Sequence, residues 1–475
     1  MRRTSIGTLT AIALSTGLLA QDDISARITG TVMTSGGAAA FLEKLTDTVG
    51  GRVTGSPQAR AASELILAAL KDAGYANARF EEYELPSRWQ RGPASGRILA
   101  PVERPIVVGS YGWVPGTAGE VAGPLLDLGS PAAADVALPS GARGAMVLVD
   151  PQKSAADPSF VMRAGIAKRL AAAGAVAMLI PSDKPDRMVY TSAFGFYPRG
   201  PLPVVSVAKE DAALLRRLLA KGAVRIALDV RNTFDASPYR ERNVIADLQG
   251  SDPSGEMILV GGHFDSWDPA QGADDDGSGV AAVLEAARAL KALGVAPRRT
   301  IRFAFFSGEE QACLGSRAYV AAHEKELDRV RTVLIMDEGA QAPHGFAIQG
   351  RSDLETAAKA RLAPLAALGA SDVFLDASFD QDHAPFVAVG VPAFTLSVDP
   401  GDYDSTRHHT VMDTFEHVDK HWLAVDSAVM AVAAWSFANA PEPVGRRLSE
   451  ADAKALMEKT GVESTHRMVY GTSAR

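Results

Sequence analysis

From Asn243 onward the chain alternates short, largely apolar runs with helical patterns, and no other feature restricts the possible fold so strongly. The runs are Met257–Val260, Ile301–Phe306, Val333–Met336 and Phe394–Val398. A strand that is apolar on both of its alternating faces has no solvent face and must be covered on both sides. Such strands separated by helices build a mainly parallel sheet with helices above and below it. The clearest intervening helix carries Val280, Val283, Leu284, Ala287 and Leu290 at helical spacing and stops near Gly294. The expected class is therefore α/β, a mainly parallel mixed sheet sandwiched by helices.

The chain has 475 residues, and at about 100–200 residues per domain this predicts two or three domains. Upstream, Ser56-Pro57 reads as a helix N-cap followed by proline in the first turn, and the helix through Leu65, Ile66, Leu67 and Leu70 closes at Gly74. The stretch from Tyr83 to Gly129 is rich in glycine and proline, with short apolar pieces such as Ile106-Val107-Val108. Residues 111–238 have the texture of a separate module. Gly141–Asp150 (GARGAMVLVD) reads as a turn entering a strand, Ala164–Ile180 as a helix broken at Gly174 and then a strand, and Pro203–Val207 as another strand. Between them, the loop from Pro181 to Leu202 carries Tyr190, Phe194, Phe196 and Tyr197, aromatics that either pack locally or form a lid.

At the start, Arg2 and Arg3 precede an apolar run from Ile6 to Leu19 that ends at Ala20, the layout of a secretory signal peptide over residues 1–20. The run is too short to span a bilayer, so the expectation is a periplasmic or secreted protein with no membrane attachment after cleavage. With 48 basic and 56 acidic residues the net charge is −8, which gives no electrostatic support for binding nucleic acid. The single cysteine, Cys313, excludes an internal disulfide and any cluster held by several thiolates.

Acidic residues and histidines follow the strands. After Met257–Val260 come His263, Asp265 and Asp268; GADDDGSG (Gly272–Gly279) precedes the Val280 helix. Ile301–Phe306 leads to Glu309-Glu310, Val333–Met336 to Asp337-Glu338, and the Phe394 strand to His408-His409 and Asp413. Carboxyl ends of strands in an open α/β sheet border one crevice. Carboxylates gathered there repel one another unless a cation neutralises them, and imidazoles mixed with carboxylates favour zinc over calcium or magnesium. Two ions balance three carboxylates, two neutral imidazoles and one hydroxide, and paired metals generate that hydroxide near neutral pH.

These residues resemble the co-catalytic di-zinc exopeptidases that include bacterial leucine aminopeptidases, most closely the carboxypeptidase Q (plasma glutamate carboxypeptidase) branch. The resemblance spans Ala39 to Asn439 and rests on Gly-His-Phe-Asp-Ser-Trp-Asp from Gly262, the segment from Gln271 to Gly279 and Glu-Glu-Gln from Glu309. It implies a zinc exopeptidase domain over 36–110 and 239–440, a protease-associated domain inserted at 111–238, and a tail at 441–475. It assigns His263 and Asp337 to one Zn2+, Glu310 and His409 to the other, and Asp275 to both. Glu309 would be the general base, and Asp265 would fix the tautomer of His263. The family also implies a cis Asp275–Asp276 peptide bond, a homodimer, and a pocket segment from Phe379 to Phe386 with Asp382 and His383 as substrate contacts.

Neighbours compete for some of these roles. Asp274 and Asp276 are otherwise solvated charges at a helix start, and His408 is the alternative to His409. The implied function is hydrolysis of dipeptides or removal of N-terminal residues from short peptides; the word carboxypeptidase in the branch name does not establish C-terminal trimming. Two other classes stay open: glutaminyl cyclisation with a single zinc, which the Asp382–Phe386 segment resembles, and a noncatalytic binding ectodomain.

Overall fold

The computed structural model describes residues 24–151, 159–194, 199–463 and 465–466. The leader expected at residues 1–20 lies outside them, as do Phe196 and Tyr197. Eight strands form the central sheet: β1 (Arg79–Leu85), β2 (Tyr239–Leu248), β3 (Met257–His263), β4 (Thr300–Phe306), β5 (Val330–Ile335), β6 (Pro343–Ala347), β7 (Asp372–Phe374) and β8 (Ala393–Val398). Their spatial order is β1-β2-β4-β3-β5-β8-β6-β7. The four apolar runs seen in the sequence are the adjacent central strands β4, β3, β5 and β8, all mutually parallel. Antiparallel pairs appear toward the edges, at β1–β2, β2–β4 and β8–β6.

Alternation along these strands sorts side chains between two cores. Ile258, Val260, Ile301, Phe303 and Phe305 enter one core with Val280, Val283, Val429 and Val432. Met257, Leu259, Ala304, Phe306, Val333 and Ile335 enter the other with Tyr319 and Phe386. The first core is covered by helices α1 (Ala38–Thr48), α2 (Pro57–Asp72), α3 (Gly279–Ala292) and α4 (Lys420–Asn439). Helix α4 is long and apolar enough to cross a membrane, but 83% of its apolar window is buried inside the protein, as expected for a core helix. Helix α2 starts as its sequence predicts, with Ser56 Oγ accepting the Ala59 N–H at 3.0 Å and Pro57 in the first turn.

A second eight-stranded sheet stands beside the first. Its order is Arg104–Ile106, Ala94–Ala100, Arg225–Val230, Val121–Gly129, Met146–Val149, Ala177–Pro181, Val204–Val207 and Val108–Ser110. Helices Ser159–Ala172 and Lys209–Leu219 accompany it. Period-two alternation again feeds two separate cores, one through Met146 and Leu148, the other through Val147 and Val149. Pairing begins at Ala94, upstream of residue 111, because the strands before Tyr111 close both edges of this sheet. Their glycine and proline content conceals them from pattern reading. The two chain crossings between the sheets, Arg88–Gln90 and Thr233–Asp235, pair antiparallel with each other. At the junction Trp89, Trp113, Ala193 and Trp267 form one buried apolar cluster.

Candidate metal centre

His263 is the last residue of β3, and its N–H donates to Asp276 Oδ2 at 3.0 Å. Its ring Nδ1 lies 3.0 Å from the main-chain carbonyl of Asp265 and 3.6 Å from the Asp265 carboxylate. A proton on Nδ1 is thereby engaged, leaving the Nε2 lone pair free. Nε2 faces Asp337 Oδ1 at 2.9 Å and Asp275 Oδ1 at 3.3 Å. The other oxygen of Asp275 faces His409 Nε2 at 3.1 Å, and Glu310 Oε2 stands 3.2 Å from the same nitrogen. Asp337 follows β5, Glu310 follows β4, and Asp275 lies in the turn Ala273–Ser278 that leads into α3. All five residues assigned from the sequence therefore meet, with Asp275 between two imidazoles.

These separations suit ions. A tetrahedral metal at about 2.0–2.2 Å from each ligand holds its ligand atoms about 3.4 Å apart. Electrostatics point the same way. Burial pushes Asp337 up to about 7, and Glu310 is raised by burial despite nearby His409. Burial opposes ionisation of Asp275 too, but His263 and His409 hold it well below the usual carboxylate range. Both imidazoles are driven well above their ordinary value, against their own burial, by Asp337 for His263 and Glu310 for His409. The pocket thus demands positive charge, which divalent cations would supply.

The neighbours resolve as well. Asp274 and Asp276 are not solvated charges at a helix start, since both are fully buried. Asp276 accepts from His263 N–H and, through Oδ1, from Gly279 N–H at 3.0 Å. A Cβ on residue 279 would lie 2.1 Å from that oxygen, which is why glycine stands there. Asp274 forms an ion pair with Arg407 Nε at 2.6 Å. The Asp275–Asp276 peptide bond is cis. His408 lies tilted against His409, with ring centroids 3.9 Å apart, while His409 brings Nε2 to both Asp275 and Glu310.

Glu309 lies beside His263. Its Oε2 is 4.0 Å from His263 Nε2, and burial, followed by the charge of Asp337, pushes its carboxyl well up. Its N–H donates to Asp265 Oδ1 at 3.2 Å, and Asp265 Oδ2 accepts from Thr54 Oγ1 at 2.7 Å. The nearer contact of Asp265 with His263 is thus through its backbone, while its carboxylate steadies the Glu309 turn. Asp382 and His383, expected as substrate contacts, are both fully enclosed. Asp382 accepts from Ser316 Oγ at 2.5 Å and His383 Nε2 lies 3.1 Å from Ser378 O. The segment is folded inward, Asp382 toward Ser316 and His383 toward the Ser378 carbonyl.

Several supporting residues escape sequence reasoning. Arg52, wholly buried, donates to the carbonyls of Phe264 (2.6 Å), Gln271 (2.7 Å) and Gly272 (2.9 Å), tying together the loops that carry His263 and Asp275. Asp413 accepts the N–H groups of Asp274 at 2.6 Å and Asp275 at 3.3 Å. Asp413 was noticeable only by its spacing from His409, and Arg52 has no local signature.

Residues 243–434 match the family model described as Peptidase family M28. Carboxypeptidase Q of Xenopus laevis is 28% identical over 409 residues, covering 84% of this chain and 85% of its own. The crystal structure of a peptidase M28 precursor from Shewanella amazonensis SB2B superimposes with a TM-score of 0.80 at 26% identity, over 90% of this chain and 99% of that one. BSAP, a zinc aminopeptidase from Bacillus subtilis, shares the fold with a TM-score of 0.66 at 22% identity, over 87% of this chain and 97% of its own.

Proposed function

We propose that the chain is a member of peptidase family M28, whose model matches residues 243–434, and that it is an exported di-zinc exopeptidase that hydrolyses dipeptides or removes N-terminal residues from short peptides. The observation that carries the reading is the placement of Asp275, whose two oxygens each face a different imidazole Nε2. His263 and Asp337 would hold one ion, Glu310 and His409 the other, and Asp275 both. Zinc suits this mixed imidazole and carboxylate set, and the Bacillus subtilis neighbour is described as a zinc aminopeptidase. When bound, the pair of ions would polarise the scissile carbonyl and lower the pKa of water.

The chain's own groups do the rest. Glu309 accepts the proton of the attacking water and later delivers it to the departing amine. Its backbone is anchored by Asp265, so the carboxylate stays near His263. The carboxylates around the site favour a substrate with a free, cationic α-amine. The basic and apolar start of the chain supports export, and we read the second sheet as a protease-associated domain inserted in the peptidase domain. The presence of both ligand sets disfavours single-zinc glutaminyl cyclisation.

The test is a panel of dipeptides and aminoacyl arylamides run on wild type and Glu309→Gln. The variant is expected to keep two zinc ions and lose kcat by about 100-fold to 10,000-fold, the usual scale for a lost general base. Near-normal turnover would remove Glu309 from the mechanism. Absence of hydrolysis by the wild type across the panel would remove the exopeptidase reading.

A further inference from the structure

His409 is held from the second sheet's module, not from the peptidase sheet. Its Nδ1 lies 2.9 Å from the Thr191 carbonyl and 3.1 Å from the Tyr190 hydroxyl. In return, the Thr191 N–H donates to the His409 carbonyl at 3.0 Å. The Tyr190 ring stacks on the imidazole at a centroid distance of 5.3 Å, and Trp267 meets it edge-on at 6.2 Å. His409 has φ +60, a left-handed conformation that a residue without glycine's freedom holds only under external constraint.

The clamp is itself anchored. Thr191 Oγ1 accepts from Arg91 Nη2 at 3.0 Å, and Arg91 Nε reaches Asp268 Oδ1 at 2.6 Å, on the loop that follows His263. Lys184 Nζ donates to the Asp404 carbonyl, joining the same module to the segment carrying His409. By contrast, His263 takes its Nδ1 contact from Asp265, two residues on in the loop that follows β3. One imidazole is thus oriented locally and the other across the domain junction.

We propose that Tyr190 and Thr191 of the second module are positioning residues for the metal position formed by His409 and Glu310, so that metal occupancy there and seating of the module are thermodynamically linked. The physical basis is tautomer control: an acceptor at Nδ1 keeps the proton on that nitrogen and aims the Nε2 lone pair at the ion. Linkage then requires the converse, that an ion on His409 tightens the contact between the module and the segment carrying it. The inference rests on the two-metal reading above.

Tyr190→Phe keeps the stacked ring and removes the hydroxyl; Tyr190→Ala removes both. Metal content is measured by elemental analysis during chelator competition, with hydrogen exchange of residues 186–194 followed with and without zinc. Losing an outer partner of a metal-bound histidine costs about 10- to 100-fold in metal affinity. The expected result is a wild type with two ions, one of which is released at about 10-fold lower chelator concentration in Tyr190→Phe and lower still in Tyr190→Ala, the other ion being unaffected. Zinc should also slow exchange at 186–194 in the wild type, less so in the variants. Equal weakening of both ions, no weakening, or zinc-independent exchange would overturn the inference. A wild type that binds only one ion would instead overturn the two-metal reading. Metal-free melting temperatures of wild type and Tyr190→Phe are expected to agree; a large drop would make Tyr190 a general structural residue and sink the positioning role.

Discussion

At the scale of single residues, the turn bearing Asp275 shows how a functional side chain is aimed by its neighbours. Asp413 receives two backbone N–H groups from this turn, and Arg52 takes three carbonyls around it. Burial, with Asp274 and Asp275 adding to it, pushes the Asp413 carboxyl up to about 8. The group persists there because the donors it satisfies would otherwise be orphaned. Replacing Asp413 by Ala leaves two buried N–H groups without acceptors, each costing about 1–3 kcal/mol. Denaturant unfolding of the metal-free chain should record a loss of about 2–6 kcal/mol, with a matching fall in metal affinity. Wild-type stability and affinity in that variant would show that Asp413 does not hold the turn.

At the scale of elements, the edge of the peptidase sheet is tied down by charge. Glu81 on β1 meets His323 Nε2, at the end of helix Leu314–Ala322, at 2.8 Å. The hydrogen bond to Glu81 raises His323 above its ordinary 6.5, while Glu81, despite its burial, is drawn below 4.5 by His323 and Arg79. The sign of the pH effect follows. The stabilisation is present while Glu81 is ionised and His323 protonated, fades as pH rises through the raised His323 pKa, and fades as pH falls through the lowered Glu81 pKa. His323→Gln should therefore cost about 1 kcal/mol near pH 6 and little at pH 9, read as the difference in unfolding free energy from wild type. A difference independent of pH would assign the cost to the lost stacking of His323 on Tyr319.

For the molecule as a whole, the proposed ligands come from the end of β3, from the segments after β4, β5 and β8 and from the turn before α3, so bound ions would join segments far apart in sequence. Ligands that bind only the folded state stabilise it by mass action, by about 2.7 kcal/mol when free metal is 100-fold above its dissociation constant. Stripping the protein with a chelator should lower its melting temperature by several degrees, and zinc should restore it. Unchanged melting after verified metal loss would mean that the carboxylate cluster tolerates its own repulsion.

Much of this protein is local and was legible in the sequence. Largely apolar runs, interrupted only at Arg302, Thr395 and Ser397, specified the four central strands because a strand covered on both faces has few polar positions to spare. The acids and histidines after those strands marked one crevice, because parallel strands deliver their carboxyl ends to one side, and the family resemblance singled out the five proposed ligands among them. What needed the tertiary structure was everything decided by long-range packing: the glycine-rich strands from Ala94 that only their partners stabilise, the inward burial of Asp382 and His383, Arg52 holding loops more than two hundred positions away, and the grip of Tyr190 and Thr191 on His409. Backbone carbonyls and buried caps have no residue code of their own. Their identity comes from where the chain returns, and a one-dimensional pattern does not carry that return.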